Sequence, residues 1–126
     1  MKPLRVTIKD IPWTVKLLLD KDYEDKNGKG SQAITHKDDK IIEIKQQYLC
    51  THVIKHELFH AYCSSCCIDS MTDLETHDME EIAAEIMAYH AEDISKLSTK
   101  LYNTLKQELK NHTHQGDRDW ETVYTT

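Results

Sequence analysis

The sequence predicts an α+β fold. A small, mostly antiparallel N-terminal sheet of three to four strands packs on one helix over 46–67 and on a long C-terminal helix or helix pair over 78–111. Three observations predict it. Residues 4–45 hold short runs rich in Val, Ile and Thr, separated by Pro, Gly, Asn and Asp. Residues 46–67 contain neither Gly nor Pro, and their apolar residues recur at helical spacings on more than one side. Residues 79–111 also lack Gly and Pro and keep a helical apolar stripe. At 126 residues the chain is long enough for one modest core, with one domain over 1–112 and a polar tail over 113–126.

The strands follow in order. Leu4–Ile8 alternates apolar and polar, and Pro12 is expected to break it. Residues 13–19 form a second strand. Residues 20–30 are polar, with Asn27-Gly28 and Gly30, and are expected to be a loop. Residues 32–36 and 41–45 form a hairpin around the polar turn 37–40.

After a polar connection over 68–77, Ile82, Ile86, Tyr89 and Asp93 are expected to line one helix face, with Leu97, Leu101, Leu105 and Leu109 further on. An unbroken helix of about 30 residues would span about 45 Å, wider than a small domain. It must break near Ser95–Ser98 or project. Leu101, Leu105 and Leu109 either cover the chain's own core or form the seam of a homodimer.

The formal net charge is −6, and the lysines of the last helix are interspersed with acids, which excludes a basic nucleic-acid-binding face. No apolar run is long enough to span a membrane. Cys63, Cys66 and Cys67 crowd into five positions, a poor disulfide framework, and with Cys50 they predict reduced thiols and a cytoplasmic setting.

Within the first long helix lies His56-Glu57-Leu58-Phe59-His60, an H-E-x-x-H. Positions i and i+4 share a helix face, so His56 and His60 can bind one zinc ion. Glu57 then stands beside the ion, where it can accept a proton from water activated there. With 8 histidines in 126 residues the motif arises by chance in roughly four of a hundred shuffles, so context decides. The intervening Leu58 and Phe59 are apolar, and a buried His/Glu patch is costly unless an ion satisfies it. A catalytic zinc site needs a third protein ligand. Glu81 is the first candidate, with Glu85 as the carboxylate that orients a ligating histidine. Glu80 and Glu85 are rival ligands, and His77 and His90 remain open. Tyr62, Tyr89, His77 and His90 are candidate donors to a developing oxyanion.

H-E-L-F-H on one helix, followed about twenty residues later by Glu81-Ile82-Ala83-Ala84-Glu85, resembles a small gluzincin-type zinc metallopeptidase. It is similar to the minimal phage and bacterial members around the ImmA/IrrE family. The resemblance covers roughly residues 30–95. Glu85 stands where that family commonly has Asn or Asp, and the family's usual Leu-Met-Pro ending is missing. The resemblance implies a minimal zincin-like fold, Zn2+ held by His56, His60 and Glu81, Glu57 as general base, and a peptide or protein substrate in the cytoplasm (the host's, for a phage protein). It also implies that an edge strand near the active helix, here within 30–36, receives the substrate backbone.

Two alternatives belong to other classes. One is a metal-binding but non-catalytic interaction module of the phage or host regulatory type. The other is a structural Cys/His zinc protein, because His56, His60, Cys63 and Cys67 fall on one helical stripe. His112 and His114 read as part of a polar tail, and His36 and His52 as surface residues.

Overall fold

The computed structural model describes residues 2–65 and 76–113, with the side chains of 76–80, 82, 112 and 113 outside the description. The elements are β1 (Leu4–Ile8), β2 (Ile11–Leu18), α1 (Asp20–Asn27), β3 (Ala33–His36), β4 (Ile41–Lys45), a 3-10 turn (Gln46–Tyr48), α2 (Thr51–Ser65) and α3 (Thr76–Thr113). The fold is the expected α+β arrangement. Its sheet has the order β1-β2-β4-β3. β1 with β2 and β3 with β4 are antiparallel, and the central β2–β4 pair is parallel.

The first turn is not at Pro12. Lys9 and Asp10 take positive φ values of 52° and 65°, and Ile8 pairs with Ile11 across them. Two left-handed residues between paired strands are the tight hairpin that matches strand twist. Pro12, opposite Thr7, falls one residue past the closing pair, at a non-hydrogen-bonded position of the ladder. Its missing N–H therefore costs no β1–β2 bond, and the strand runs through it.

The polar stretch expected as a loop is α1. It carries Asp20 and Asp22 in its first turn and Lys26 in its last, both favourable to the helix dipole. Gly28, at φ 83°, donates its N–H to Glu24 O and ends the helix, a conformation that glycine adopts without strain. Only Tyr23 is buried in α1. One apolar residue makes no stripe, so periodicity could not report the helix.

Alternation divides the sheet into two faces. Val6, Ile8, Trp13, Val15, Leu17, Ile42 and Ile44 face α2 and join Val53, Ile54, Leu58 and Ala61 in one core. Glu43 and Lys45 point the other way, to α1. There Lys26 Nζ lies 2.7 Å from Glu43 Oε2, and Lys45 pairs with Glu24. Trp13 is fully buried and donates its indole N–H to Ser65 Oγ at 3.0 Å, tying β2 to the end of α2.

The 46–67 helix divides: α2 begins at Thr51 after the 3-10 turn, and residues 66 and 67 lie outside the description. α3 does not break near Ser95–Ser98. It runs unbroken for 38 residues, about 57 Å at helical rise. The hydroxyls of Ser98 and Thr99 both donate to Ser95 O, so these side chains are satisfied within the continuous helix. Its buried ridge is Ile86, Ile94, Ser98, Leu101 and Leu105. Tyr89 is 76% exposed and Asp93 is exposed, so the face expected through Ile86, Tyr89 and Asp93 is corrected to one stepping through Ile86 and Ile94. Leu101 and Leu105 lie in the chain's own core. No helix among the described residues is long and apolar enough to cross a membrane.

Candidate metal centre

α2 packs its apolar side on the sheet through Val53, Ile54, Leu58 and Ala61. The remaining stripe carries His52, His56 and His60 at four-residue intervals. The Nε2 atoms of His56 and His60 are 3.3 Å apart, with ring centroids 4.9 Å apart at 73°. Two nitrogens at 2.0–2.1 Å from one tetrahedral zinc ion lie about 3.3–3.4 Å apart. The separation of the pair is therefore that of two nitrogens on one zinc ion. The same separation also allows one ring N–H to donate to the other ring.

Glu57 is buried, 6% exposed, at the foot of this pair. Thr35 on β3 donates its hydroxyl to Glu57 Oε1 at 3.0 Å and lies 3.3 Å from the main-chain oxygen of Glu57. The other carboxylate oxygen, Oε2, lies 3.8 Å from His56 Nε2. One oxygen is thus held by the sheet and the other lies on the side of His56. Sequence reasoning missed Thr35. Its signal was there: in the hairpin register Ala33 and Thr35 share the inward face with Ile44 and Ile42, so Thr35 is a hydroxyl among apolar neighbours.

β3 pairs only with β4, and its outer edge is unpaired among the described residues. Two shallow pockets of about 250 and 260 Å³ run beside it. Both are walled by Ala33 from the strand and by His56 and Glu57 from the helix.

The remaining candidates are placed differently. Glu81 and Glu85 are exposed on α3, and the side chains of Glu80 and His77 lie outside the description. Among the described residues no group of three or more His, Cys, Asp or Glu is assembled to hold a metal. Tyr62 is buried, its ring 5.2 Å from that of His90, and Tyr89 is in solvent. Cys50 is exposed, Cys63 is half-buried against the core, and neither forms a disulfide. Cys66, Cys67 and His114 lie outside the described residues, as does the side chain of His112.

A second polar cluster lies on the opposite face of the sheet, and the sequence did not reveal it. Glu43 is 1% exposed and takes Lys26 on Oε2, with His36 at 2.6 Å and Asn27 at 3.4 Å on Oε1. Burial pushes its carboxyl up, but the hydrogen bonds from Lys26, His36 and Asn27 outweigh it and hold the group below the usual carboxylate value. His36, expected at the surface, is thereby a partner of a buried acid.

Comparison of the chain with protein families, with curated proteins and with solved structures finds no match.

Proposed function

We propose that the chain is a zinc-dependent metallopeptidase of the H-E-x-x-H type, with a peptide or protein as substrate. The observation that carries this is the juxtaposition of His56 and His60, 3.3 Å apart at Nε2, with a buried Glu57 whose Oε2 lies 3.8 Å from His56 Nε2. His56 and His60 would hold the ion, with Glu81 as the third ligand on the resemblance of α3. Bound zinc supplies Lewis acidity, lowering the pKa of water and polarising a carbonyl. Glu57 Oε2 takes the proton of the attacking water and delivers it to the leaving amine. Thr35 keeps Oε1 out of that exchange and fixes the carboxylate plane. The open edge of β3 offers main-chain N–H and C=O groups to an extended peptide, which would bring its carbonyl beside Glu57.

Untagged wild type and His60→Ala, purified without added metal, test the proposal by zinc per chain. Near one zinc in the wild type and little in the variant supports it, and zinc retained in the variant overturns it. Glu57→Gln should keep zinc and lose cleavage. A Glu57→Gln chain that keeps its biological effect, while His60→Ala loses it, would instead favour a metal-dependent interaction module.

A further inference from the structure

A larger groove, of about 650 Å³, opens between α2 and α3 on the other side of the histidine pair. Its lining is apolar through Phe59, Met87, Ala91 and Ile94. Met87 is 55% exposed, so a large apolar side chain stands in solvent along its wall. His56 and His60 wall both this groove and the pocket along β3 that Glu57 lines. The groove and the pocket along β3 therefore meet at the histidine pair. Exposed Lys55 and His52 also line it, and among the described residues no Asp or Glu does. Lys55 makes no ion pair or hydrogen bond among the described residues. In a chain of net charge −6, Lys55 is a positive charge on the rim of this groove.

Resting on the metallopeptidase proposal, we infer that this groove selects the substrate: it takes a large apolar side chain next to the scissile bond, and Lys55 with His52 takes an acidic group of the same peptide. Three features bear on the choice of occupant: the groove's continuity with the histidine pair, its exposed methionine and the Lys55 ammonium on a lining without described acids. Burial of a leucine-sized side chain there should tighten binding by about tenfold or more.

The test uses binding to the zinc-loaded full chain by calorimetry. Acetohydroxamate probes the metal alone, and N-acetyl-leucine hydroxamate adds the side chain. The leucine probe is expected to bind at least about tenfold tighter. That advantage should shrink to within about twofold in Ala91→Phe, which fills the groove, and in Met87→Ser, which removes its exposed wall without touching the core. N-acetyl-Glu-Leu hydroxamate should bind more tightly than its Gln-Leu counterpart, and Lys55→Gln should erase the difference. Equal affinity for the acetyl and leucine probes, or an advantage that survives both groove variants, overturns the inference. Equal affinity for the Glu and Gln probes overturns its acidic half. Failure of acetohydroxamate itself to bind the zinc-loaded wild type overturns the metallopeptidase proposal and this inference with it, a result distinct from failure of the groove alone.

Discussion

Thr35 donates its hydroxyl to Oε1 of Glu57 at 3.0 Å, so the edge strand holds the buried acid of the helix motif. A buried acceptor that loses its donor is costly to leave unpaired, and valine has nearly the shape of threonine without the donor. Thr35→Val should therefore cost about 1–3 kcal/mol in urea unfolding, and Thr35→Ser much less. Zinc content should not change, because neither histidine is touched. In a Glu57→Ala background the Thr35→Val cost should fall, leaving what the hydroxyl's contact with the main-chain oxygen of residue 57 contributes. An undiminished cost there would mean that Thr35 does not act through the Glu57 carboxylate.

Glu43 gives a pH dependence with a defined sign. Burial raises its pKa, but the donors Lys26, His36 and Asn27 prevail, and the folded value lies below the ordinary 4.5. A carboxyl depressed on folding contributes stability above its unfolded pKa and loses it as pH falls through the folded value. The stability gap between wild type and Glu43→Gln should be full at pH 7 and narrow progressively below 4.5. Urea midpoints at several pH values measure it. A gap that widens on acidification would show that Glu43 is not held ionised by its partners.

The elements legible in the sequence are those whose own residues carry the period. Ile41–Lys45 and the helix around His56 announce themselves through apolar spacing, and His56, Glu57 and His60 through a spacing that zinc chemistry requires. The rest is set by contacts between distant residues. α1 has no stripe, and its Lys26 and Glu24 bond to Glu43 and Lys45 about twenty positions away. Thr35 is coupled to Glu57 across 22 positions. On α3, Ile86 with Tyr89 and Ile86 with Ile94 are both helical spacings. Only packing against α2 and the sheet buries Ile94 and leaves Tyr89 in water.

Leu105 is fully buried although it lies near the end of a helix about 57 Å long. If the latter half of α3 belongs to the core, Leu105→Ala should destabilise the chain by about 2–5 kcal/mol through lost burial and a residual cavity. Leu109, half-buried, should cost less. The measurement is the unfolding midpoint at two protein concentrations about a hundredfold apart. A midpoint independent of concentration places the burial within one chain, whereas a rise with concentration would move Leu105 to an interface between copies.

If His56 and His60 hold zinc as proposed, three amide substitutions decide which glutamate joins them. Glu81 carries the resemblance, through Glu81-Ile82-Ala83-Ala84, yet its exposed carboxylate does not join the histidines among the described residues. Glu80 precedes Glu81 by one position in the sequence. Glu85 follows Glu81 by one turn. Replacing Glu by Gln keeps size and removes the anionic donor, so a true ligand should lose most of its zinc while folding is retained. Glu81→Gln is expected to drop zinc per chain well below half. Glu85→Gln should weaken zinc affinity by about 10–100-fold if it orients a ligating histidine. Full zinc in Glu81→Gln together with loss in Glu80→Gln would shift the ligand by one position. Full zinc in all three would leave His56 and His60 without a glutamate partner on α3 and remove the gluzincin ligand set.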